Sequence, residues 1–333
     1  MTSNESRSAD FKRALKAVVK EAVWLTASHK PGHRPDVALF ATRRGGSTWL
    51  MQVIGSSPGF RTLDQPFSVM TANLTPGHYR KMPKYPYGEI ASPSVDEFDA
   101  LRPYVDALLS GELPLNAPYR FWSGEFRRKT DRQLLKIVGA KSIAPWLDDE
   151  FDLDVVLLTR HPITQALSCI RNGWTLTVRA FLDNPRFVDE WLANGLEGRC
   201  HDVLATGSDL DRFVLNWGLE NMVALGAAPD RSWFVTSYEA TVSEPEAVLE
   251  QLDSHLDLGG VEPLRRALAR PSRSSRLSTG ERRAAMEGQD SVALLSRPLE
   301  SVELADRTKA MSILESMGLT TYAPDSALVT RSR

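Results

Sequence analysis

The chain has 333 residues, of which 42% are hydrophobic and 25% charged, with a formal net charge of −2. That is enough apolar material for one large α/β domain or two small ones, and the near-neutral balance excludes a global field that would draw nucleic acid. Two cysteines, Cys169 and Cys200, share no metal-like spacing with each other or with histidine, so no zinc site and two free thiols in a reducing compartment are expected.

In chain order, the opening residues lack a basic segment followed by an apolar stretch, and Val18 to Thr26 is too short and interrupted to span a bilayer. The expectation is a cytoplasmic protein without membrane insertion. Leu15, Val18, Val19, Ala22, Trp24 and Leu25 recur at helical spacing, which predicts an amphipathic helix over Phe11 to Thr26. The breaker-rich run His29 to Pro35 ends it. Residues 1–35 are thus a helix and linker ahead of a single domain over 36–333.

Asp36 to Thr42 is a short apolar run with the character of a buried strand, and Trp49, Leu50, Val53 and Ile54 repeat as a helix face. Between them lies Arg43-Arg44-Gly45-Gly46-Ser47-Thr48. A strand, a glycine turn and a helix in that order form a phosphate cradle, because the unpaired N–H groups of the helix start point at the anion. The turn lacks the Gly-Lys-Ser/Thr of a nucleotide-triphosphate loop, and its cations precede the glycines. Residues 71–129 are rich in proline and aromatic residues, including Tyr79, Tyr85, Tyr87, Phe121 and Trp122, and read as a substrate-facing insertion.

Further strands are predicted at Leu134 to Val138, Asp154 to Thr159 and Ser232 to Ser237, with a helix from about Thr164 to Ile170. Strands alternating with helical patterns predict an α/β fold, an open, mostly parallel sheet with helices on both faces. Ligands then gather beyond the carboxyl ends of the strands. Two further anion-type loops fall there. Arg160-His161-Pro162 precedes Ser168 by eight residues, and the two reach one phosphate only if the chain turns sharply, as Pro162 at a helix start allows. Pro271 to Arg276 alternates hydroxyls with guanidinium groups and equally suits a solvated loop.

Taken together, these segments resemble the sulfotransferases that use 3′-phosphoadenosine-5′-phosphosulfate (PAPS). Arg43 to Leu50 looks like the family's 5′-phosphosulfate loop, with Gly45 in place of the usual first Ser. Val155 to Leu158 with Arg160 and Ser168 looks like its 3′-phosphate motif, and Val235 to Glu239 followed by Glu244-Pro245 like its later strand and Tyr-Glu turn. Gly139-Ala140-Lys141-Ser142 is similar to a Gly-Glu-Lys-Ser/Thr element of bacterial and glycan-acting members, with Ala140 replacing the Glu. Trp217 and Asn221 fall in a familiar Trp…Glu-Asn stretch. The blocks span roughly residues 36 to 275.

The resemblance implies a P-loop-like α/β sheet and a metal-independent transfer of a sulfuryl group from PAPS to an acceptor hydroxyl. Arg44 takes the place of the catalytic cation beside the leaving 5′-phosphate. Arg43, Gly45, Gly46, Ser47, Thr48 and Trp49 complete that loop. Arg160 and Ser168 hold the 3′-phosphate, Arg273 adds a contact to it, Tyr238 borders the adenine, and Lys141 meets the sulfuryl oxygens or the acceptor. The family's Glu base, ahead of a Pro-Phe pair, is here Gln65, which leaves adjacent Asp64 as the candidate base and His78 or His161 as fallbacks. The acceptor is expected to be a small molecule or glycan, with a carbohydrate-type hydroxyl favoured. Gln65 keeps open a non-catalytic PAPS-binding protein. A P-loop kinase lacks its Lys and its Mg²⁺-binding Asp.

Overall fold

The computed structural model describes residues 18–19, 22–23, 25–69, 82–113, 126–270 and 290–330. The helix expected over Phe11 to Thr26 lies mostly outside them.

A five-stranded sheet organises the described chain. Its strands are β2 (Asp36–Ala41), β3 (Phe60–Asp64), β5 (Arg132–Ile137), β6 (Leu153–Thr159) and β7 (Phe234–Ser237), in the order β3-β5-β2-β6-β7 and all parallel. A separate two-stranded parallel ribbon pairs β1 (Ser28–His29) with β4 (Lys129–Thr130), within what the sequence offered only as linker. The apolar runs are explained by the sheet being covered on both sides. Val37, Leu39 and Ala41 of β2 enter one core and Ala38 and Phe40 the other, all fully buried. β3 is a strand the sequence reading missed, because Phe60-Arg-Thr-Leu-Asp64 is short and half polar, as an edge strand is permitted to be.

On one face pack α1 (Ser47–Ile54) and, from further along the chain, Leu249, Leu252, Leu256 and Leu264. On the other lies α2 (Val95–Leu109), which buries Leu101, Tyr104, Val105 and Leu108. The middle of the segment 71–129, expected to be an irregular insertion facing substrate, is thus a helix with one face in the core. Ser94 and Glu97 form a reciprocal cap: the Ser94 hydroxyl accepts from the Glu97 N–H at 3.3 Å, and the Glu97 carboxylate accepts from the Ser94 N–H at 2.7 Å. The helix carries Pro103 in its interior, where composition suggested irregular chain. Residues 70–81 and 114–125 lie outside the described chain.

After β6 come α4 (Pro162–Arg171), following α3 (Ala144–Glu150), then α5 (Val178–Leu182), α6 (Pro185–Trp191), α7 (Leu196–Thr206) and the long α8 (Asp209–Ala227). With α9 (Tyr238–Ser243), α10 (Pro245–Leu256), α11 (Val261–Leu268), α12 (Ser291–Glu300) and α13 (Leu304–Glu315) they complete the described helices. Trp217 and Leu215 of α8, Ala310, Met311 and Leu314 of α13, and Tyr322 build a third core beside the carboxyl end of β6. Among the described residues no helix is long and apolar enough to cross a membrane. Cys169 and Cys200 are both free and buried, and burial pushes each thiol up to about 11.

Candidate functional site

The carboxyl ends of the two central strands, β2 and β6, carry the two loops singled out by sequence. At the end of β2 the Gly45 N–H donates to the Thr42 carbonyl at 2.9 Å, closing a tight turn, and Arg44 takes a left-handed conformation at φ 59°. Gly46, at φ 90°, caps α1, and a Cβ built on it would meet the Tyr238 ring at 2.9 Å. Glycine is therefore required here twice, by its backbone angle and by the ring. The Trp49 and Leu50 N–H groups both donate to the Gly46 carbonyl at 3.0 Å. The amides of the first turn just ahead of them have no acceptor in the helix, which makes this end an anion cradle.

The second loop meets the first. Arg160 donates from Nη1 to the Arg44 carbonyl at 2.8 Å, and its guanidinium lies 4.5 Å over the Tyr238 ring. Its Nε is buried and has no hydrogen-bond partner among the described residues. Arg44 Nε donates to the Ser168 hydroxyl at 3.3 Å. The sharp turn expected at Pro162 is present, with Pro162 as the first residue of α4, so Arg160 and Ser168 do converge, and they converge on Arg44. Two guanidinium groups, a hydroxyl and a helix N-terminus face one region, and a buried donor without a partner suits a phosphate there.

Other expected contacts are redistributed by burial. Trp49, expected in the cosubstrate loop, is 1% exposed and packs its side chain in the core under β2. Tyr238, expected at an adenine edge, is also 1% exposed and lies between the Arg160 guanidinium and Gly46. Arg43 turns inward, away from Arg44. Its guanidinium, expected among the donor contacts, pairs with Glu89 and, at 3.5 Å, with Glu220.

Lys141 belongs to the same buried group. Its ammonium, expected to meet the sulfuryl or acceptor oxygens, is 3.2 Å from Glu220 and donates to the Ala41 carbonyl at 3.5 Å. Two cations and two carboxylates thus balance beneath the loop. Burial raises the Glu89 pKa and lowers that of Lys141. Burial also opposes the Glu220 charge, but Lys141 and Arg43 overcome it and hold Glu220 below the usual carboxylate range. Glu220 further accepts from Thr177 at 3.0 Å and Asn216 at 2.7 Å. It was missed by sequence reasoning, although its signal was a charge within an apolar helix face. Trp217, Glu220 and Asn221 share that face of α8 by helical spacing. They touch the Arg160 carbonyl at 3.1 Å, the buried cations, and the Thr42 hydroxyl at 3.4 Å respectively. One helix therefore braces both loops.

Lys136 was also missed. At the end of β5 its ammonium is 2.5 Å from Asp64 and donates to the Thr48 hydroxyl at 3.3 Å, placing a cation beside the cradle. Its signal was a lone lysine in Leu134 to Ile137, and the register pairs it with Asp64. Asp64, the candidate base, is thus already engaged. Of the fallbacks, His161 is fully buried and burial lowers it to about 4, which makes it a structural residue. His78 and Arg273 lie outside the described residues. Among the described residues no cluster of His, Cys, Asp and Glu is arranged for a metal.

No family model matches the chain, and no curated protein does. Solved structures do. The sulfotransferase domain from the curacin biosynthetic pathway aligns at TM-score 0.42 and 13% identity, over 86% of this chain and 99% of its own. The chain is similar to sulfotransferase domains. A second, from the Synechococcus PCC 7002 olefin synthase, aligns at TM-score 0.37 and 16% identity over 87% of this chain and 97% of its own. Retinol dehydratase, solved with androsterone and the inactive cofactor PAP, aligns at 0.34 and 12% over 86% of this chain and 81% of its own. At TM-scores below 0.5 these likenesses decide nothing about activity, which has to be read from the site's own residues.

Proposed function

We propose that the chain is a PAPS-dependent O-sulfotransferase. The observation that carries this reading is the meeting of Arg44, Arg160 and Ser168 around the Gly46 cradle. Two loops about 116 residues apart in sequence each bring a cation to one region, which suits a nucleotide bearing more than one phosphate group. The cradle that a Cβ would fill and the unpartnered Arg160 Nε both fit such a group.

Sulfuryl transfer asks a protein to position its reactants and to neutralise charge on the leaving group. Arg44 and the first-turn amides of α1 do this at the 5′-phosphate. Arg160 and Ser168 hold the 3′-phosphate. Lys136, beside Thr48, adds a third cation at the transferring end. The bound cosubstrate supplies the sulfuryl group. No step requires a metal in this scheme. The acceptor is a hydroxyl compound. A carbohydrate-type hydroxyl is the favoured acceptor, on the likeness of the Lys141-Ser142 element and of the acidic position at Asp64 to glycan-acting branches.

A second reading, a PAPS-binding protein without transfer activity, is favoured by Gln65 and by the engagement of Asp64 with Lys136. Incubation with PAPS and a panel of hydroxyl acceptors separates the two. Release of adenosine 3′,5′-bisphosphate dependent on acceptor supports transfer. Tight bisphosphate binding with no turnover on any acceptor supports the sensor. Equal affinity for the bisphosphate and AMP, unchanged by Arg160→Ala, overturns both.

A further inference from the structure

The chain beyond residue 318 had no role in the sequence reading, yet it reaches the centre of the site. Thr321 and Thr330 close a small loop, the Thr330 N–H donating to the Thr321 carbonyl at 2.8 Å, with an isolated bridge between Tyr322 and Val329. Inside it Tyr322 is 5% exposed. Its ring lies edge-on to His161, with centroids 5.0 Å apart, and to Trp217, at 6.1 Å.

The contacts of this segment fall on both neighbours of Arg160. The Tyr322 hydroxyl is 2.8 Å from the Thr159 hydroxyl and donates to Glu239 at 3.3 Å. The other oxygen of Glu239 accepts the His161 N–H at 3.0 Å. The His161 ring is 3.1 Å from the Ala323 carbonyl, and the carbonyl of Arg160 itself accepts from Trp217. Arg160 is therefore the middle residue of a tripeptide held on either side, while its own Nε has no hydrogen-bond partner among the described residues. A buried hydroxyl, a buried carboxylate and two edge-on ring contacts hold this tripeptide from one side. Held this firmly, a guanidinium meets its anion without first being ordered.

Resting on the donor-site reading above, we infer that Tyr322 is a positioning residue for the 3′-phosphate: through Thr159, Glu239 and His161 it fixes the peptide that aims Arg160. The 5′-phosphate is held by the Gly46 loop, which Tyr322 does not touch in any described contact. Removing its hydroxyl should therefore weaken one phosphate contact and spare the other.

The test is calorimetric titration of the full chain with adenosine 3′,5′-bisphosphate and with AMP, for the native protein, Tyr322→Phe and Thr159→Val. Loss of one buried hydrogen bond from the brace is expected to weaken bisphosphate binding by about three- to tenfold. AMP affinity should change by less than about twofold, so the preference for the 3′-phosphorylated ligand shrinks. Thr159→Val removes the other end of the 2.8 Å contact and should give the same selective loss, which serves if Tyr322→Phe does not fold. Either variant keeping the native preference while its melting temperature falls would make Tyr322 a packing residue and overturn the inference alone. A native protein with no preference for the bisphosphate would overturn the donor-site reading as well.

Discussion

Replacing Glu220 by glutamine removes one of two carboxylates that balance Arg43 and Lys141 beneath the first loop. The remaining Glu89 cannot neutralise both cations, and the new amide would turn an N–H₂ or an uncharged oxygen toward them. Breaking a buried ion pair from one side costs about 3–5 kcal/mol, because a charge is left without compensation. Lys141→Met should cost a similar amount for the opposite reason. With both substitutions only Arg43 and Glu89 remain, and the charges balance again. The double variant should then be more stable than the sum of the single losses predicts, with a coupling of about 1–3 kcal/mol. Guanidinium unfolding of the four proteins measures this directly. The pH dependence has a definite sign: Lys141 and Arg43 hold Glu220 low against the effect of burial, so its contribution is present above the ordinary carboxylate range and lost as pH falls through the lowered value. Glu220→Gln should lack that acid-side loss. Single variants within about 1 kcal/mol of the native protein, or strictly additive losses, would refute the charge-balance reasoning.

Gly46→Ala places a methyl group 2.9 Å from the Tyr238 ring on a backbone at φ 90°. Calorimetry should show adenosine 3′,5′-bisphosphate binding weakened by at least about tenfold. Lys136→Met should lower the rate of acceptor sulfation by about a hundredfold, with bisphosphate affinity changed by less than about threefold, since the cation lies at the transferring end. Asp36 is pushed up to about 6, first by burial, although it accepts the Gln133 N–H at 2.6 Å. A carboxyl raised in the folded state favours folding more as pH falls. The native protein should therefore gain about 1–2 kcal/mol on Asp36→Asn between pH 8 and pH 4.5, read from denaturant midpoints, and a constant difference would contradict the shift.

The parallel sheet was legible because its physics is local to each segment. A strand covered on both faces must be apolar at nearly every position, and Asp36 to Ala41 and Leu153 to Thr159 are. A turn that curls around an anion needs glycine, and Gly45 and Gly46 stand where a strand gives way to a helix. The same local logic placed Pro162 at the start of α4 and so brought Arg160 and Ser168 within reach. It failed where the determinant was a distant partner. Nothing local distinguishes Arg43, whose side chain is drawn inward by Glu89 and Glu220, from Arg44, which faces Ser168. Lys141 carries the residue type of an anion contact but is captured by a helix about 80 residues further on.

Chain order and residue type determined which segments form strands and which turns can hold phosphate, since backbone geometry and apolar patterning act over a few residues. The direction of each charged side chain was decided only when the chain folded. Coulombic and hydrogen-bond partners act through space, and here they come from α8, from Glu89 and from the loop around Tyr322.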